Sequence, residues 1–74
     1  MAYEVPFDIQ QIVQALSING MEVTGPALLG VNIVYRVNGH TLSEDELRRL
    51  SQKRLLTSWD IFNYTRIRLA KRTA

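Results

Sequence analysis

Apolar and polar residues alternate in two different rhythms along this chain, and the rhythm changes at the glycines. In "FDIQQIVQALSING", Ile9, Ile12, Val13 and Leu16 fall at i, i+3, i+4 and i+7, so one apolar stripe runs along a helix. Asp8 is placed to cap it, Gln11 sits where a capping box wants Glu or Gln, and Phe7 with Ile12 occupies the positions of a hydrophobic staple. Asn19–Gly20 supplies the positive φ that ends a helix. Before it, Tyr3, Val5 and Phe7 alternate with Glu4 and Pro6, which fits a short edge strand.

The rhythm then shortens to two. Gly20, Gly25, Pro26 and Gly30 exclude a helix through "MEVTGPALLGVNIVYRVNGH", where "MEVT" reads as a short strand, 25–30 as a loop and "GVNIVYRVN" as a longer strand. Val31, Ile33, Tyr35 and Val37 share one face of that strand, and Asn38–Gly39 closes it with a turn. A second helix opens at "LSEDELRRLSQKR". Ser43 caps it, Glu46 completes a capping box, and Leu42 with Leu47 forms the staple.

The last segment, "LLTSWDIFNYTRIRLAKRTA", fits two patterns. As a helix starting at Thr57 or Ser58 it scatters Trp59, Ile61, Phe62, Ile67 and Leu69 round the circumference. As a strand over 61–69 it alternates, with Thr65, Ile67 and Leu69 inward and Tyr64, Arg66 and Arg68 outward. The strand is the favoured reading. The expected fold is therefore α+β, a small antiparallel sheet with two helices on one face in the order (β)αββαβ, an order shared by ferredoxin-like folds. The competing reading makes the C-terminus helical, with a helix-turn-helix-like character. It is disfavoured because the turn over 52–58 holds no glycine.

Seventy-four residues make one domain, 1–74, with a core of about a dozen large side chains and roughly 3–5 kcal/mol of stability. With no cysteine there is no disulfide, iron–sulfur cluster or thiolate zinc site. No apolar run spans a membrane and no leader opens the chain, so the expectation is a complete, soluble, cytoplasmic protein.

Charge changes the picture more than composition does. Residues 1–46 hold one basic side chain and six acidic ones; residues 47–74 hold eight basic and one acidic. Part of this split serves the dipole of the second helix, with Glu44, Asp45 and Glu46 in its first turn and Arg48, Arg49, Lys53 and Arg54 behind them. The rest is a statement about partners.

Catalysis needs convergent titratable groups, and His40, the one histidine, has no nucleophile or second ligand at a recognisable spacing. The glycines form no phosphate loop. No cofactor or metal is expected, and no enzyme. The candidate partner-binding residues are Arg48, Arg49, Lys53, Arg54, Tyr64, Arg66, Arg68, Lys71 and Arg72. Trp59 and Phe62 are read as core. The favoured partner is a larger protein with an acidic surface, met by a small regulator. The alternative is DNA or RNA, for which the sequence pI of 9.4 is just in the suggestive range. Neither a membrane nor a small-molecule substrate is expected. In its economy, though in no motif, the chain is similar to small phage-encoded or accessory regulators that inhibit or redirect a host protein such as RNA polymerase. That likeness would place it in transcription.

Overall fold

Helix α1, Phe7–Ile18, is stopped by the sequence that follows it. Gly20 adopts φ +86, its N–H bonds the Ser17 carbonyl, and the Met21 N–H reaches back to the Leu16 carbonyl at 3.1 Å. This is the Schellman arrangement, and its usual apolar contact is present because Leu16 and Met21 are both buried in the core. The other end of α1 differs from expectation. The helix begins two residues early, Pro6 rather than Asp8 is the N-cap, and no side chain caps it. Asp8 instead points its carboxylate at Arg48, and Phe7 is 71% exposed, so the staple with Ile12 does not form.

The computed structural model describes residues 3–73, with side chains through Lys71. Its elements follow the order α1, β1 (Val23–Leu29), β2 (Asn32–Val37), β3 (His40–Ser43), α2 (Glu44–Gln52) and α3 (Ser58–Thr73). The fold is α+β, with an antiparallel sheet in the order β1-β2-β3. Residues 3–6 form no strand. The expected loop over 25–30 is largely strand, since β1 runs through Gly25 and Pro26 to Leu29. Two residues of β1, Gly25 and Pro26, oppose the single Tyr35 of β2, which is a β-bulge. Gly25 has φ +132, and a Cβ there would lie 2.9 Å from the Tyr35 ring, so glycine is required by both conformation and space. The second hairpin turns on Asn38 (φ +50) and Gly39 (φ +83), the pair of positive φ values that a type I′ turn needs. That turn creates β3, a strand absent from the expectation.

Helices α1 and α2 pack on one face of the sheet. Ile9, Ile12 and Leu16 from α1 meet Leu47 and Leu50 from α2 over Tyr35, Val37 and Leu42 from the strands, and Ile61 of α3 joins the same cluster. The Ser43–Glu46 capping box of α2 is formed, and Leu42 and Leu47 are both fully buried.

The strand expected over 61–69 is a helix, and the ferredoxin-like order goes with it. Two local devices explain α3. At its start, Thr57 Oγ1 accepts from the Asp60 N–H at 3.1 Å and the Asp60 carboxylate accepts from the Thr57 N–H at 3.4 Å, a second capping box. Before it, the turn does without glycine. Arg54 adopts φ +59, its N–H bonds the Ser51 carbonyl, and the Leu55 N–H bonds the Leu50 carbonyl at 2.8 Å. A Schellman motif thus closes α2 with an arginine where glycine is usual. Thr65, a β-former, is accommodated because its buried hydroxyl donates back to the Ile61 and Phe62 carbonyls.

Candidate functional site

The basic C-terminal half is divided by α2 and α3 into separate faces. The buried stripe of α3 is Ile61, Thr65 and, at its end, Arg68, whose side chain is 25% exposed. Arg68 donates to the Thr41 carbonyl on the edge strand β3 at 3.1 Å and to Glu46 Oε2 in a charged hydrogen bond. Burial pushes the Glu46 carboxyl up, but the Ser43 N–H and the Arg68 guanidinium outweigh it and hold the group below its usual value. Two asparagines fix the rest of the helix. Asn19 Nδ2 donates to the Leu56 carbonyl at 2.9 Å just before α3, and Asn38 Nδ2 donates to Ser58 Oγ at 3.3 Å at its first residue.

So anchored, α3 lies beside α2 and leaves a cleft of about 400 Å³ between them. Leu55, Tyr64 and Ile67 supply its apolar lining. Arg49 and Lys53 stand one turn apart on the α2 side; Arg68 and Lys71 stand three residues apart on the α3 side. No carboxylate lines it. Among the described residues no ion pair forms at Arg49, Lys53 or Lys71, and all three are exposed.

Five of the nine candidate residues therefore meet at one place: Arg49, Lys53, Tyr64, Arg68 and Lys71. The others do not. Arg48 turns towards α1, bonds Asp8 at 2.8 Å and Asp45 at 3.3 Å, and its charge is spent within the fold. The hydrogen bond from Arg48 holds the Asp8 carboxyl below its usual value. Arg54 sits in the turn. Arg66 is exposed beside Asn63. Arg72 is in the last turn of α3, and its side chain lies outside the described residues.

Sequence reasoning passed over two surfaces. Trp59 (69% exposed) and Phe62 (47% exposed) are not core residues; their rings stack with centroids 5.9 Å apart, and Phe62 meets His40 edge-on at 6.3 Å. At 3.6 residues per turn they lie on the flank of α3 away from the cleft. The tip of the β1–β2 hairpin is also apolar and open, with Leu28, Leu29 and Val31 exposed. The signal for the cleft itself was the helical spacing Tyr64, Ile67, Arg68 and Lys71, hidden while the segment read as a strand. Ile67, expected inward, is exposed at the cleft.

Among the described residues no three His, Asp or Glu side chains are grouped to hold a metal, and no helix is long and apolar enough to cross a membrane. No protein-family model, curated protein or solved structure matches the chain. The cleft is therefore read from its own geometry.

Proposed function

We propose that this chain is a non-enzymatic regulatory binding protein, acting in the cytoplasm, that docks on a larger protein with an acidic surface through its basic C-terminal half. The observation that carries this reading is the α2–α3 cleft, where four cations and three apolar side chains share one lining with no acid among them. A surface that served phosphates alone would need cations and stacking aromatics, without the aliphatic Leu55 and Ile67. Basic rim and apolar lining together suit a protein surface, whose anchors are apolar and whose register is set by charge. The exposed Trp59–Phe62 pair adds residue types that anchor interfaces. Nothing in this reading depends on the partner belonging to the transcription apparatus.

The test is a titration of the purified chain against random duplex DNA and single-stranded RNA at two salt concentrations. The reading expects binding weaker than about 10⁻⁴ M at physiological salt, below the usual non-specific range of nucleic-acid binders. Micromolar binding that falls log-linearly with salt would replace it with direct nucleic-acid recognition.

A further inference from the structure

We infer that the α2–α3 cleft takes an acidic amphipathic segment of the partner, with apolar side chains seated between the helices and carboxylates on both rims. The inference rests on the docking reading and names what fills the site. Charge complementarity carries it. Arg49 and Lys53 on one wall and Lys71 on the other are exposed cations with no ion pair among the described residues, and none of the lining residues is acidic. The fourth cation, Arg68, already serves Glu46 and Thr41, so it shapes the wall rather than adding a free charge.

The lining between these charges is apolar. Leu55 and Tyr64 are half-buried and pack against the core, and Ile67 stands open beside them. A groove between two helices, with an apolar bed, two free cations one turn apart on one wall and a third on the other, matches a segment whose own apolar residues repeat at helical spacing. A simple polyanion would leave Leu55 and Ile67 uncovered. A purely apolar segment would bring no charge to three exposed cations. Neither matches both halves of the lining.

The probe is a fluorescein-labelled peptide of Glu and Leu at amphipathic helical spacing, titrated against the full chain by polarisation. Two controls go with it: the same peptide with Lys for Glu, and the same peptide with Ser for Leu. The inference expects the Glu/Leu peptide to bind, and both controls to bind roughly tenfold or more weakly. Lys53→Glu with Lys71→Glu, both on exposed positions that leave the core untouched, should lose the Glu/Leu peptide and gain the Lys/Leu one. Ile67→Ser should weaken the Glu/Leu peptide while leaving circular dichroism unchanged. Equal binding of the Ser-for-Leu peptide overturns the inference, because charge alone then suffices. If no acidic peptide binds and DNA and RNA are also ignored, the inference fails while the docking reading stands. If DNA or RNA binds through Lys53 and Lys71 at physiological salt, both fail.

Discussion

Glu46 bonds Ser43 with one carboxylate oxygen and Arg68 with the other. Oε1 accepts the Ser43 N–H at 3.0 Å and closes the capping box of α2; Oε2 takes the guanidinium that docks α3. One side chain, 17% exposed, thus ties the start of one helix to the far half of another. The cleft walls are set by this junction, together with the asparagine anchors at Leu56 and Ser58.

Glu46→Ala should therefore cost about 2 kcal/mol or more. Roughly 1 kcal/mol comes from the lost cap, and the remainder from leaving a partly buried guanidinium without its anion. A urea midpoint shift with unchanged slope checks it.

The same junction has a pH signature. The folded Glu46 carboxyl titrates below its unfolded value, so its stabilisation is complete above the ordinary carboxylate pKa and is lost as pH falls through the lower folded value. Thermal melts from neutral pH down into the acid range should show this limb. Glu46→Gln should lower stability at neutral pH and flatten the acid dependence. An unchanged acid limb in the variant would remove Glu46 from the account.

Arg54 holds φ +59 without being glycine. Left-handed backbone costs an L-residue about 1 kcal/mol or a little more, so Arg54→Gly should stabilise the protein by up to ~1 kcal/mol. Gly25→Ala should act the other way, by about 1–3 kcal/mol, because the new Cβ meets the Tyr35 ring and the backbone must leave a conformation that glycine alone tolerates. Paired denaturation curves measure both.

Trp59 is the one tryptophan, and its indole is open to water. Its emission in the free protein should be that of a solvated ring, readily quenched by acrylamide. Trp59→Ala should change stability by no more than about 0.5 kcal/mol. A blue-shifted, protected emission would put Trp59 back in the core.

Three caps and turns were legible because each depends on residues within a few positions: Asn19–Gly20, Ser43 with Glu46, and Asn38–Gly39; the start of α1 was not, because Asp8 pairs with Arg48 from another helix instead of capping its own. The stripe of α1 was legible because Ile9, Ile12 and Leu16 are all buried. Helix α3 was not, for a physical reason. Its buried stripe runs Ile61, Thr65, Arg68, so a hydroxyl satisfies itself and an arginine finds its anion across the fold. Its large apolar residues Trp59, Phe62, Ile67 and Leu69 are exposed instead. A rule that places apolar residues inside reverses such a helix, and the turn before it hid its signal by using Arg54 in place of glycine. The candidate site was half legible. The charge split pointed to the half of the chain that forms the cleft, but only the packing of α3 separates the cleft cations from Arg48, whose partners Asp8 and Asp45 are local to α1 and α2.

The most direct measurement is amide shift mapping of the labelled chain with the Glu/Leu peptide. The account predicts perturbations on residues 49–53, Leu55 and residues 64–71, the two walls of the cleft, with the hairpin tip at residues 28–31 unmoved. Perturbations confined to the hairpin tip or to the α1 face, with the cleft silent, would contradict it.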